Sequence, residues 1–210
     1  MFNLHTHTKN PNAIINIDDF STFKAERNDY YSLGNHPWQE ALSITTIEKA
    51  IRQHSNIIAI GECGLDKHKS YDTFEVQIDI FKQQVALSEK LKLPIILHLV
   101  KSYTEILQLK KELKPKQPWV IHGFNKYKHA VQLIESGFYL SFGASLLTNT
   151  KLQSAFTQTP IAKIFLETDA ATITIQEMYI FAAQLRQVTV AELKHQISNN
   201  CKTVFKWKIG

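Results

Sequence analysis

Short runs rich in β-branched and aromatic residues alternate along the chain with segments of helical spacing. The runs are Phe2–His7, Ala13–Ile17, Tyr30–His36, Ile57–Glu62, Pro94–Leu99, Trp119–Phe124, Phe138–Gly143 and Ile164–Asp169. Most are apolar on both faces, as the buried strands of a parallel sheet are. Between them, Phe74, Ile78, Phe81 and Val85 recur at helical spacing and mark one core-facing stripe. Thr45 with Glu48, Asp72 with Glu75 and Thr189 with Glu192 read as N-cap and capping-box pairs. Gly137, after Leu133 and Ile134, reads as a helix C-cap. Strands alternating with helices predict an α/β fold, a (β/α)8 barrel of the TIM type. Thr8–Asn12 is too short for a crossover helix, so the first one is expected to be missing, and the second, within Asp18–Glu26, must be short. A doubly wound open sheet shares the alternation, but no glycine-rich phosphate loop supports it.

Composition narrows the class. The 210 residues fit one domain over 1–210, at the short end for such a barrel. With 44% hydrophobic and 20% charged residues the chain can bury a core, which excludes a disordered protein. The net charge of +5 mildly favours a polyanionic partner. Two cysteines, Cys63 and Cys201, make no disulfide framework and fit a reducing compartment. The opening MFNLHTHT has neither the charged nor the apolar region of a secretory leader. Apolar runs such as Pro94–Leu97 fall far short of the roughly 18 residues of a membrane span. A cytoplasmic protein with no membrane association and no obligate protein partner is expected.

Chemistry gathers where the runs end. One closes on Glu62, two on His98 and His122, one on Asp169 and one on His36, while His5 and His7 share one face of the first. In a parallel barrel all these C-terminal ends meet at the rim where barrel enzymes keep their active sites. Imidazoles and carboxylates together suit Zn²⁺, Mn²⁺ or similar ions, and six ligands can hold two. A lone histidine at a strand end is more often a hydrogen-bonded polar group, so the weight lies on the whole set. His54, His68, His129 and His195 fall in helices or loops and are expected to face solvent. Cys63, next to Glu62, should point to the opposite strand face and pack.

These motifs resemble the TatD family of metal-dependent hydrolases over nearly the whole chain. His5-Thr-His7 matches its H-x-H, Gly34-Asn-His36-Pro37 its G-x-H-P, and Gly61-Glu-Cys-Gly-Leu-Asp66 its G-E-x-G-L-D. Gln77, Phe81, Gln84 and Leu93–His98 follow its pattern into the fifth strand. His122-Gly-Phe124, Leu166-Glu-Thr-Asp-Ala170 and Asn200 with Val204-Phe205 complete the order. The resemblance implies that His5, His7 and Asp169 hold one divalent ion (Zn, Mg or Mn), that His98 and His122 hold a second, and that Glu62 bridges. It implies that His36 and Asp66 face the substrate, a phosphodiester and in particular DNA. On this reading Asp169, beside the attacking water, is expected to orient it and take its proton, with Glu62 as the other catalytic carboxylate.

Three departures stand out. Asn3 replaces the acidic residue two places before the first histidine; it can hydrogen-bond an imidazole but supplies no charge. Val100 stands where the family has arginine, leaving Lys101 as an adjacent point charge for substrate. The segment after Asp169 lacks the family's proline and long loop. Lys67, Lys69, Lys101, Lys126 and Lys128 lie in rim loops and could pair with phosphates, although loop lysines are ordinarily just solvated. Three other readings remain open. One is a lactonase- or amidase-type carbonyl hydrolase on the same barrel. Another is a phosphoesterase of the polymerase-and-histidinol-phosphatase type, against which the G-E-x-G-L-D and L-E-T-D-A pieces argue. The last is a non-catalytic nucleic-acid-binding barrel.

Overall fold

The computed structural model describes residues 1–206. Eight strands are hydrogen-bonded in chain order: β1 (Asn3–Thr6), β2 (Ala13–Asn16), β3 (Tyr30–Leu33), β4 (Ile57–Asp66), β5 (Ile95–Val100), β6 (Trp119–Ile121), β7 (Tyr139–Phe142) and β8 (Ile164–Leu166). The β1–β2, β3–β4, β4–β5 and β7–β8 pairs are parallel. Just past β8, Asp169 bridges in parallel to Thr6 and its N–H donates to the His5 carbonyl at 3.0 Å. The last strand therefore returns to the first, which is the (β/α)8 barrel fold expected from the alternation.

No helix separates β1 from β2, as the short connection requires. The short helix expected within Asp18–Glu26 is also absent. There the Asp19 carboxylate accepts from the Ser21 N–H at 2.8 Å and from the Ser21 and Thr22 hydroxyls at 2.6 and 3.2 Å, which folds the segment into turns.

The chain divides into two compact units, one of residues 16–120 and one of residues 1–15 with the chain from Ile121 onward. In the first, α1 (Ile44–Gln53), α2 (Phe74–Leu91) and α3 (Tyr103–Leu113) accompany β3, β4 and β5. The α1 cap is Ser43, not Thr45, and the α2 cap is Thr73, not Asp72; each side chain accepts an N–H from the first turn. Helix α2 buries Gln77, Phe81, Gln84 and Val85, and Phe81 meets Trp119 edge-on at 5.3 Å. Strand β4 runs on past Glu62 to Asp66, paired with β5 through Gly64↔His98 and Asp66↔Val100. Gly64 is required there, because a Cβ would collide with the His98 carbonyl oxygen.

The other unit carries α4 (Ala130–Glu135), α5 (Thr150–Gln158), α6 (Ile175–Arg186) and α7 (Val190–Phe205) beside β7 and β8. Phe2, Phe165 and Phe205 cluster with ring centroids 5.9–6.1 Å apart. The Thr189–Glu192 capping box forms, and Thr174–Glu177 makes a second one. The C-cap of α4 is Ser136, not Gly137; Gly137 comes one residue later, where its φ of 83° turns the chain out of the helix. Asn200, on α7, donates to the carbonyls of Ile161 and Ile164 at 2.9 and 2.8 Å, which anchors the entry to β8. Among the described residues no helix is long and apolar enough to cross a membrane.

Candidate functional site

In the unit built on residues 16–120, Glu62 and His98 stand on neighbouring strands. His98 Nδ1 lies 2.8 Å from Glu62 Oε1, and its Nε2 lies 3.0 Å from Asp66 Oδ2. His36, in the loop after β3, places Nε2 3.1 Å from the same Glu62 oxygen. Its Nδ1 accepts the Trp38 backbone N–H at 3.1 Å, so the ring proton sits on Nε2 and points at Glu62.

This arrangement is held from outside. The Glu62 N–H donates to Asn16 Oδ1 at 2.7 Å. Gln77 clamps the backbone of Asp66, accepting its N–H at 2.9 Å and donating to its carbonyl at 3.2 Å. Gln84 clamps Asn35 in the same way at 2.7 and 3.3 Å. The two glutamines sit seven residues apart on one face of α2, so a single helix fixes the loop ends that carry His36 and Asp66. Asp66 itself is nearly fully buried. Burial works to raise its pKa, but hydrogen bonds from the Lys69 N–H, Trp38, His98 and the His68 N–H outweigh it and hold the carboxyl below its ordinary value.

The other unit holds His5, His7, His122 and Asp169. His5 and His122 approach ring to ring at 4.4 Å. Asp169 Oδ1 lies 3.3 Å from His7 Nε2 and 3.8 Å from His5 Nε2. Asp169 adopts a left-handed backbone (φ 51°), which only short polar residues and glycine take readily, and its side chain is 41% exposed. Glu167, fully buried, places Oε1 3.6 Å from His122 Nδ1 and accepts the Gly123 N–H.

Adjacent ligand atoms around an ion at 2.0–2.2 Å are separated by about 3–3.5 Å. The ligand atoms of His5, His122 and Asp169 lie within 4.8 Å of one another, and so do those of His36, Glu62 and His98. Each group therefore offers nitrogen and oxygen donors close enough together to be drawn onto one divalent ion.

The six residues expected as ligands thus fall into two groups, His5, His7, His122 and Asp169 in one unit and Glu62 and His98 in the other. Asp66 turns inward onto His98 and Trp38, while Lys101 is exposed at the end of β5. Asn3 does not bond an imidazole. Its amide donates to Thr168 Oγ1 at 2.8 Å and accepts the Thr168 N–H at 3.1 Å, tying β1 to the segment that carries Asp169. Lys67 is ion-paired with Glu105. Cys63 is buried as expected, and burial, with the Glu62 charge adding to it, pushes its thiol pKa up. His68 and His195 are exposed, whereas His54 and His129 are half-buried. Glu167, Trp38 and Asn16 escape the strand-end argument. Glu167 lies inside the L-E-T-D-A motif, which could have drawn attention to it.

Parallel strands whose C-terminal ends carry ion-sized groups of histidine and carboxylate define a class of barrel. Residues 16–206 match the family described as TatD related DNase, and the chain belongs to that family. It is 29% identical over 209 residues to the uncharacterized metal-dependent hydrolase BU355 of Buchnera aphidicola, covering 87% of this chain and 79% of that protein. It is 29% identical over 158 residues to a protein of Rahnella named 3'-5' ssDNA/RNA exonuclease TatD, covering 69% of this chain and 58% of the other. The crystal structure of YjjV, a TatD homologue from Escherichia coli, superposes with a TM-score of 0.81 at 21% identity, over 93% of this chain and 86% of that one.

Proposed function

We propose that the chain is a metal-dependent hydrolase of phosphodiester bonds whose substrate is DNA or a related nucleic acid. The observation that carries the reading is the pair of ion-sized ligand groups, one around Asp169 and one around Glu62. Membership of the TatD family and the exonuclease name of the Rahnella relative support the choice of bond.

His5, His7, His122 and Asp169 would hold one divalent ion, and Glu62 and His98 a second. Imidazole-rich donors favour Zn²⁺ or Mn²⁺ over Mg²⁺. An ion held there would supply charge stabilisation and would lower the pKa of a bound water from about 16 toward about 7. Asp169, half-exposed and set by its left-handed backbone, orients the attacking water and accepts its proton. With its Nε2 proton given to Asp66, 3.0 Å away, His98 would offer Nδ1, on the Glu62 side, to the ion. His36 presents its Nε2 proton beside Glu62, where it can donate to a phosphoryl oxygen. Lys69 and Lys101, both exposed in loops after strands, add charge for the phosphate backbone.

Hydrolysis of bis(4-nitrophenyl) phosphate and of a DNA oligonucleotide, set beside a panel of lactones and amides, tests the reading. The expected result is metal-dependent cleavage of the phosphodiesters. Metal-dependent opening of a lactone or amide with no phosphodiester cleaved would transfer the assignment to carbonyl chemistry.

A further inference from the structure

Trp38 is unusual among the large side chains of this protein. Its only polar side-chain atom is satisfied inward, Nε1 donating to Asp66 Oδ2 at 2.7 Å, yet 43% of the residue is exposed. Its ring packs at a steep angle against both His36 and His98, with centroids 4.8 and 5.3 Å away, and those two imidazoles are themselves 4.5 Å apart. Lys69 Nζ lies over the ring, 3.9 Å from its centre, so a stacking base takes the other face or displaces the ammonium toward its phosphate. Tyr71, 61% exposed, is tied to the same loop by its N–H to the Pro37 carbonyl at 2.8 Å. A rigid, part-exposed aromatic plane with an ammonium against it is a combination with which proteins hold a single-stranded nucleotide. The base stacks on the ring and the phosphate meets the cation. Because the indole is already immobilised, stacking on it sacrifices little side-chain freedom.

We infer that Trp38, with Tyr71 and Lys69, forms a nucleobase-stacking subsite beside the His36–Glu62–His98 group. The inference rests on the phosphodiesterase reading and deepens it by assigning the base beside the scissile phosphate to the Trp38 ring. Trp38 here binds and positions; it is not a catalytic residue.

The test compares a thymidine tetranucleotide with a tetramer of the same backbone made of abasic sites, using the metal-loaded protein. With wild type, KM for the abasic tetramer should exceed KM for the thymidine tetramer by about tenfold or more, the effect of losing one stacked base. In Trp38→Ala that ratio should fall to near one. Trp38→Phe keeps an aromatic face but loses the bond to Asp66, and should retain most of the ratio. This separates stacking from the role of the indole N–H. Tryptophan fluorescence should be quenched by a phosphorothioate-linked thymidine tetramer in wild type, and Trp38→Phe should remove that quenching. Equal KM for the two tetramers in wild type, or an unchanged ratio in Trp38→Ala, would overturn the subsite while leaving the nuclease reading standing. Cleavage of neither tetramer would overturn both.

Discussion

The group around Glu62 and the group around Asp169 hold similar side chains by different means. The first is pinned: both His98 nitrogens lie within 3.0 Å of a carboxylate, and two α2 glutamines clamp the backbone behind Asp66 and beside His36. In the second, imidazole and carboxylate stand 3.3–3.8 Å apart, and the Asp169 side chain is 41% exposed. Rigid preorganisation belongs with orienting an ion and a phosphoryl group. A half-exposed carboxylate belongs with taking a proton from water. On the proposed function the two groups would divide positioning from proton transfer, and substitutions in each should then separate along that line.

The largest expected effect is on turnover. Asp169→Asn should reduce kcat by about 10³-fold or more, since the amide neither ligates as an anion nor accepts the water's proton. The melting temperature should stay close to wild type, because asparagine tolerates the same left-handed backbone. Circular dichroism melts beside steady-state assays check this. A large loss of stability in that variant would mean that the open group is structural.

Stability should instead fail on the pinned side. Gly64→Ala drives a methyl group into the His98 carbonyl, and should cost about 3 kcal/mol or more in urea unfolding, through overpacking and an unfavourable φ. Wild-type stability in that variant would show that β4 and β5 can separate without penalty.

Ion affinity should then distinguish the two supporting carboxylates. Asp66→Asn should weaken binding by about 10–100-fold, the usual effect of removing the partner of a ligating histidine. Glu167→Gln should do less, because Glu167 stands 3.6 Å from His122 against 3.0 Å for Asp66 and His98. Calorimetric titration of the chelated variants with Zn²⁺ ranks them, and the reverse order would contradict the division. The smallest effect is expected from Val100→Arg, a few-fold fall in KM for phosphodiesters at unchanged kcat, as a bidentate fork joins Lys101 at the end of β5.

The fold was legible because buried parallel strands are apolar on both faces, so all eight stand out between polar connections. What misled was local competition. Asp18–Glu26 carries the polarity of a short helix, yet Asp19 bonds its own neighbours and turns the chain instead. Strand β4 overran its expected end because Gly64 lets the backbone of β5 approach closely, a tertiary effect with no local sign. The ligand candidates were legible since all but His5 end a strand-like run, and His5 shares a strand face with His7 two residues on. Glu167 was not singled out, as it precedes Asp169 in one motif and reads as part of the strand. The inward turn of Asp66 depends on Trp38, which lies 28 residues earlier in the chain.

The central claim is that the ion-sized groups at the strand ends support metal-dependent phosphodiester hydrolysis. Stepwise return of Mn²⁺ or Zn²⁺ to chelated protein, with bound metal and phosphodiester cleavage measured on the same samples, tests it most directly. The account predicts no cleavage without metal and activity that rises with bound ion, up to one or two per chain. Full cleavage by metal-free protein, or stoichiometric metal binding that persists when His5, His98 and Asp169 are all replaced by alanine, would contradict it.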